Sequence, residues 1–233
     1  NNTNREVISS FLHIIADKGH ISDENPFSLE YLYWHLLMFR SRLISQKLRE
    51  RGYTLSKMNY QTIPCIPLVE VDISECPCTP ASGCTFLKTK YPIPNYLNMQ
   101  GVVSVGGDIN YDYLQWERFE DIKNSRFQKE AKSPYYTIKN TGAGAYIYVY
   151  NDIHKENITT TAIHEDPNMI YNFPSCDGKI DPCFEPLEQE FLLDPDLIPI
   201  MYDLAYNGLF RIQQPAQDIH NNSQDDVTNT QIP

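Results

Sequence analysis

Basic residues are in short supply in this chain of 233 residues. It contains 19 Lys and Arg against 30 Asp and Glu, so its formal net charge at pH 7 is -11. Tight binding to nucleic acid through a broad surface depends on Lys and Arg side chains that release counterions from the phosphates. The composition therefore argues against a conventional DNA-binding protein.

Long hydrophobic runs are also missing. No apolar run approaches the roughly 18 residues that a membrane helix needs, and residues 1–20 lack the charged-then-apolar order of a signal peptide. We therefore expect neither a membrane partner nor export. With 41% hydrophobic residues, the chain can still build one sizeable core or two small ones.

Recognisable catalytic motifs are absent as well. The glycines at 101–107 are not followed by the Lys-Ser or Lys-Thr of a phosphate loop, and the six histidines form no pair at helical or strand spacing. Glu188, Glu190, Asp194 and Asp196 could act as general acid and base, but helix capping and solvation explain them more simply. We predict no enzyme activity, no catalytic residues and no cofactor, and keep a small hydrolase as an alternative.

The six cysteines are a weak signal for zinc. Cys76, Cys78 and Cys84, with the distant Cys176 and Cys183, could supply thiolates to a tetrahedral site, but no pair has the spacing of a zinc knuckle. Since we expect no export, we interpret them as reduced thiols in loops and predict no bound metal.

Two helices are predicted in the first 60 residues. Thr3 and Glu6 have the spacing of a capping box, and apolar residues then recur at helical spacing. Asn25 and Pro26 form a second helix-start signal, followed by leucines and a phenylalanine at steps of three and four. A helix over residues 26–51 would be about 39 Å long. Because a small core cannot cover that length, we expect part of this helix to pack on another chain.

Strand signals dominate from residue 63 onward, as short β-branched and aromatic runs broken by Pro, Gly and Asn. The predicted strands are residues 68–73, 86–91, 102–105, 135–139, 145–150 and 158–164. Pro64 and Pro67 indicate a sheet edge or an entry bend, because proline cannot donate a hydrogen bond to a neighbouring strand.

The chain ends with a third helix signal and a polar segment. Asp194 and Pro195 repeat the cap-and-proline pattern before an apolar helical run, whereas residues 213–233 have almost no large apolar side chains and should not fold alone. The predicted class is α+β, with N-terminal helices including one long basic helix, a central antiparallel sandwich or barrel, a C-terminal helix and a polar arm. The predicted regions are helical (1–60), β (61–165), loop and C-terminal helix packing on the helical region (166–212) and arm (213–233).

Charge is unevenly placed along the chain. Six Lys or Arg and one acid lie between positions 40 and 57, whereas ten acids and Arg211 lie between 181 and 226. Each part alone could be an ordinary solvated surface, but together they predict head-to-tail contacts between copies. The residues expected at oligomer or portal contacts are Arg40, Arg42, Lys47, Arg49 and Arg51. Ile219 and Val227 are expected to anchor the arm on the tail or a neighbouring subunit.

The order of these features resembles neck proteins of tailed bacteriophages, the ring or adaptor subunits between portal and tail. The similarity is closest to the crAss-like phages of gut Bacteroidetes. It rests on the runs LLMFRSRLI at 36–44, IPCIPLVEVD at 63–72 and KTKYPIP at 88–94, and on the Tyr-rich hairpin after them.

The resemblance implies a structural virion protein, usually a dodecamer, without catalytic residues. Such a ring contacts the portal protein and neighbouring neck or tail rings, extends the channel through which double-stranded DNA passes, and seats the tail. It implies a location in the virion neck after assembly in the host bacterial cytoplasm.

A carbohydrate- or receptor-binding β-domain protein of the virion surface is a further alternative. Tyr111, Tyr113 and Trp116 would then serve as stacking platforms. The missing leader and the long basic helix argue against it.

Overall fold

The computed structural model describes residues 2–18, 27–71, 86–118, 134–150, 157–174, 176 and 184–211. Within these residues three α-helices accompany one eight-stranded sheet, which confirms the α+β prediction. The helices are α1 (Asn4–Asp17), α2 (Leu29–Arg49) and α3 (Ile198–Arg211). The strands are β1 (Gln61–Ile66), β2 (Leu68–Glu70), β3 (Phe86–Thr89), β4 (Tyr96–Ser104), β5 (Asn110–Tyr113), β6 (Tyr135–Thr141), β7 (Gly144–Tyr150) and β8 (Ile158–His164). None of the helices in the described ranges is long and apolar enough to span a bilayer.

Helix α1 begins with the capping box that the sequence predicts. The Thr3 hydroxyl accepts a hydrogen bond from the Glu6 backbone N–H, and the Glu6 carboxylate accepts one from the Thr3 N–H at 2.9 Å. These bonds satisfy backbone donors that a helix start otherwise leaves unpaired. The start of α1 pairs with the segment that precedes α3, since the Asn4 N–H donates to the Gln189 carbonyl at 2.8 Å.

Helix α2 begins later than predicted. Its N-cap is Ser28, whose hydroxyl accepts from the Tyr31 N–H at 3.1 Å, so a start at Asn25 and Pro26 is wrong, although those two residues lie outside the described ranges. The helix has 21 residues and is therefore about 31 Å long rather than 39 Å. Its apolar stripe is confirmed at four of the five expected positions, which are Leu32, Leu36, Phe39 and Leu43.

The cap predicted for the third helix is also wrong. The Asp194 carboxylate is buried and accepts hydrogen bonds from the Ser56 hydroxyl, from the Ser56 N–H at 3.3 Å and from the Asn59 amide at 2.9 Å. It therefore fixes the 3-10 turn at Lys57–Asn59, and α3 begins four residues further on, at Ile198. A buried carboxylate needs several donors, and the Ser56 backbone together with the Ser56 and Asn59 side chains provides them.

The sheet curls into a nearly closed barrel with the strand order β1-β8-β4-β5-β6-β7-β3-β2. Neighbouring strands are antiparallel except for β5 and β6, which are parallel. The two outer strands, β1 and β2, are consecutive in the chain and separated only by Pro67. Of the two predicted alternatives, a sheet edge or an entry bend, the edge is confirmed, since β1 and β2 are the two outer strands. Strands β1 and β5 were not predicted.

Two main hydrophobic cores meet at β8. The barrel interior contains Ile158 at the start of this strand, together with Ile66 and Ile147, whereas Ile163 near its end belongs to the core between the helices. The end of β8 therefore lies beneath α2, and this junction positions the residues described below.

Cys65 in β1 forms a disulfide with Cys176. The expectation of reduced thiols is wrong for this pair, and a sulfur atom in a disulfide does not act as a thiolate ligand of zinc. The other four cysteines, Cys76, Cys78, Cys84 and Cys183, lie outside the described ranges.

Gly208 allows α3 to approach α2 closely. A Cβ atom at this position would collide with the Phe39 ring, lying 3.0 Å from its Cε2 atom and closer still to Cζ. Alanine in place of glycine normally stabilises a helix interior by about 1 kcal/mol. We expect Gly208→Ala instead to lower the free energy of unfolding by about 1–3 kcal/mol, the range for an overpacked core. Urea unfolding checks this, with Gly142→Ala as the control because nothing lies within 4 Å of a Cβ there. A stabilised Gly208→Ala variant would contradict the packing argument.

Candidate subunit interface

The five basic residues expected at subunit contacts occupy different environments. Arg42, Arg49 and Arg51 are exposed and Lys47 is half-buried, whereas Arg40 has no exposed surface. Arg40 is therefore not available for a contact with another subunit. For the other four residues, a role at an interface stays a prediction.

Arg40 instead joins α2 to two distant segments of the chain. Its Nε donates to the Leu192 carbonyl at 2.6 Å, and its Nη1 donates to the His164 carbonyl at 2.9 Å and the Glu165 carbonyl at 3.5 Å. The planar guanidinium suits this arrangement because its N–H groups point in fixed, divergent directions. Burial lowers the Arg40 pKa to about 10, so the side chain remains charged at neutral pH.

Polar groups surround this buried cation. The Asp166 carboxylate lies close enough to favour its charged form, and the nearby Tyr33 hydroxyl contacts the Asn168 amide. Burial raises the pKa of Tyr33 above its ordinary value, so this phenol remains neutral. The cluster fixes the turn that follows β8 against α2.

His164 makes the stability of this junction depend on pH. Burial lowers the pKa of its imidazole below the ordinary value of 6.5, and its Nδ1 lies 3.3 Å from the Asn95 carbonyl, to which it donates when neutral. The unfolded chain takes up the proton near pH 6.5, while the folded chain does so only at lower pH. Stability should therefore fall as pH drops from about 7 toward the folded pKa, by at most about 1.4 kcal/mol per pH unit.

Urea unfolding at pH 7.0, 6.0 and 5.5 measures this slope. His164→Asn keeps a donor near the Nδ1 position but cannot take up the proton, so its stability should change less over the same range. An equal slope in both proteins would show that other groups cause it.

The C-terminal end of α2 projects from the subunit. Residues 46–52, which we call the α2 end, are all exposed except the half-buried Lys47. Lys47 donates to Glu50 at 2.8 Å and lies 5.0 Å from the centre of the Tyr53 ring. Arg49 and Arg51 form no ion pair with any other described residue. The α2 end therefore presents two uncompensated positive charges beside Leu48, which is 36% exposed.

The N-terminal half of α2 has an exposed apolar face. Trp34 is 62% exposed and Met38 is 44% exposed. A groove of about 360 Å³, which we call the acidic groove, lies beside them. Its lining residues are Trp34, Leu37, Met38, Ser41, Glu165 and Asp166.

Sequence reasoning missed this groove, although part of the signal was present. Tyr31, Trp34 and Met38 recur at steps of three and four outside the buried stripe of α2, which indicates a second apolar face. Glu165 and Asp166 could not be assigned to it, because only the packing of β8 under α2 brings them there.

Comparison with known proteins identifies the family. The sequence matches the family described as phage tail ring protein 2 over residues 6–227. The chain belongs to this family. It is also 21% identical over 223 residues to Ring protein 2 of Bacteroides phage crAss001, and the match covers 94% of this chain and 97% of that relative. The resemblance to ring proteins of crAss-like phages is therefore confirmed. The family membership identifies the chain as a structural ring protein of a phage virion.

Within the described residues 184–211, several acidic side chains of this ring protein contact their own chain. Glu188 pairs with Arg5 at 2.6 Å, and the Asp194 carboxylate is engaged by Ser56 and Asn59. The hydrogen bond to Glu50 is the main cause of the raised pKa of Lys47, and Asp196 contributes to the same shift. Two of the four carboxylates proposed for acid-base catalysis, Glu188 and Asp194, therefore have structural partners within the subunit.

The structure also does not expose the row of aromatic side chains that the carbohydrate-binding alternative requires. Tyr111 is buried in the barrel, and Trp116 lies against the core, 5.3 Å from the Tyr148 ring and with the Lys139 ammonium 4.4 Å from its centroid. Of the three proposed stacking residues, Tyr113 alone is exposed, at 58%. One exposed ring does not make the expected row of platforms.

The arm expected to contact the tail or a neighbour, including Ile219 and Val227, lies outside the described residues. Its role stays a prediction.

Proposed function

We propose that this chain forms a ring, of twelve copies, in the phage neck between portal and tail. The observation that carries the proposal is membership of a phage tail ring protein family over residues 6–227. The ring extends the DNA channel and seats the tail, with the portal protein and neighbouring ring proteins as partners. The role is structural rather than catalytic, and assembly takes place in the host cytoplasm.

The surface of the subunit supports assembly through a heterologous interface, in which two different patches of adjacent copies meet. The α2 end is basic and projects, whereas the acidic groove is recessed and combines apolar side chains of α2 with the carboxylates of Glu165 and Asp166. Two different patches on each copy produce a head-to-tail contact, and such contacts close into rings when the rotation between copies permits.

The net charge supports a channel through which DNA passes. A total of -11 means that the chain has few cations to spare for phosphates. DNA adheres to protein mainly through Lys and Arg that replace condensed counterions. A channel wall with few Lys and Arg residues would therefore bind the passing DNA only weakly.

Charge reversal on α2 tests the assembly. Arg42→Glu with Arg49→Glu should abolish ring formation, because two positive charges at the contact become negative, while the circular dichroism spectrum of the monomer stays unchanged. Native mass spectrometry of the purified protein and counts of copies per particle measure the effect.

Arg42→Lys with Arg49→Lys is the matched control, since it keeps both charges and should assemble like the wild type. Normal rings in the charge-reversed variant would remove these residues from the interface. Absence of the wild-type chain from virion necks would overturn the proposed function itself.

A further inference from the structure

The acidic groove has the chemistry of a binding site for a basic, partly apolar segment. Trp34, Leu37 and Met38 provide apolar walls, and Met can adapt its shape to a partner. Glu165 is exposed, and its carboxylate accepts a hydrogen bond from the Asn95 side-chain amide at 3.4 Å. The Asp166 carboxylate accepts from the Asn168 N–H at 2.9 Å. Neither acid forms an ion pair with another described residue.

The α2 end provides the matching chemistry. Leu48 offers an apolar side chain, and Arg49 and Arg51 offer guanidinium groups that pair with carboxylates or lie over an indole ring. In this subunit these groups have solvent around them rather than a partner surface.

The two patches cannot meet within one copy. Trp34 and Arg49 are 15 positions apart on a continuous helix, which places them about 22 Å apart. A rigid helix cannot fold its end back onto its own side. If the two patches bind each other, they do so between copies, and the contact is head to tail.

We propose that the acidic groove receives the α2 end of an adjacent copy in the ring. Leu48 of one copy packs against Trp34 and Met38 of the next, and Arg49 and Arg51 pair with Glu165 and Asp166. This inference rests on the proposed ring function and deepens it by naming the two complementary surfaces.

The polar arm is a poorer occupant of the groove. Residues 213–233 contain Asp218, Asp225 and Asp226 and no Lys or Arg. Carboxylates of the arm would face Glu165 and Asp166, and like charges at a contact oppose binding. Charge complementarity therefore favours the α2 end.

Mixing two defective variants tests the contact. The groove variant carries Trp34→Ser and Glu165→Lys, and the end variant carries Arg49→Ser and Arg51→Ser. Each alone should remain monomeric at concentrations at least tenfold above those at which the wild type assembles, with an unchanged circular dichroism spectrum. A 1:1 mixture contains one intact groove and one intact end, so it should form dimers that cannot grow further.

Native mass spectrometry of the full-length proteins distinguishes the outcomes. Heterodimers in the mixture support the inference, whereas monomers in the mixture, or variants that still form rings alone, overturn it. A control with Tyr113→Ser and Arg118→Ser, two exposed barrel positions, should still form rings; loss of rings there would overturn the assignment to these patches.

Failure of this inference leaves the ring function open to its own test. A wild-type chain that stays monomeric in isolation overturns the self-contact, while its copy number in virion necks still decides the proposed function. Photocrosslinking from position 34 in assembled particles should reach residues 46–52 of a second copy. A crosslink to the arm or to another virion protein would assign the groove to that occupant instead.

Discussion

Arg40→Ala should lower the thermal unfolding temperature of the isolated subunit by roughly 10 °C. The substitution removes the donors to the partly buried Leu192 carbonyl and to the buried His164 carbonyl. Each such loss costs about 1–3 kcal/mol, and the cavity left by a fully buried side chain adds to it. The total should reach about 3–5 kcal/mol, and for a chain of this size each kcal/mol moves the transition by about 2–4 °C.

Arg42→Ala is the matched control, because the same residue type lies two positions along the same helix but in solvent. It should change the free energy of unfolding by less than about 0.5 kcal/mol. Calorimetry of both variants as monomers measures the difference. Equal effects at the two positions would mean that Arg40 does not hold the junction between α2 and β8.

The different environments of Arg40 and Arg42 could not be predicted from the sequence. Both arginines belong to the same basic run, and composition alone assigns them the same exposed role. Only the packing of β8 and residue 192 against α2 separates them, because three carbonyls from elsewhere in the chain accept hydrogen bonds from Nε and Nη1 of the buried guanidinium. Long-range partners of this kind leave no local signal.

Local sequence signals predicted helix and strand ends correctly where few neighbouring residues could have served as the cap or boundary instead. The capping box of α1 needs only Thr3 and Glu6, and β8 begins and ends at the predicted residues. The start of α2 was placed wrongly because Asn25 and Ser28 are both good caps, and the sequence does not decide between them. Strand β1 was missed since Pro64 interrupts its pattern, and the register shift between Ile63 and Ile66 accommodates that proline.

The candidate interface was predictable only in part. The positive charges of the α2 end follow from the sequence, and their exposure agrees with the expectation that a long helix exceeds its own core. The acidic groove did not follow, because Glu165 and Asp166 are more than 110 residues away in sequence from the helix that they face. Its recognition needed the tertiary fold.

Loss of the disulfide should have the second large effect on stability. Cys65→Ser with Cys176→Ser should lower the free energy of unfolding by about 2–4 kcal/mol, because the bond closes a loop of 111 residues and so restricts the unfolded chain. The bond also ties residue 176 to β1, where the Cys176 N–H donates to the Cys65 carbonyl at 3.3 Å. Denaturant unfolding of the oxidised and reduced protein measures the loss.

The serine variant provides an internal control for this measurement. A reducing agent should destabilise the wild type to the level of the variant and should leave the variant itself unchanged. Further destabilisation of the variant by reductant would reveal a second disulfide, and identical stability of oxidised wild type and variant would contradict any role for this bond.

Thiols stay reduced in a bacterial cytoplasm. If the ring assembles there, the bond closes only after the particle leaves the cell, so protein from released virions should be more stable to denaturant than protein purified from the cytoplasm under reducing conditions.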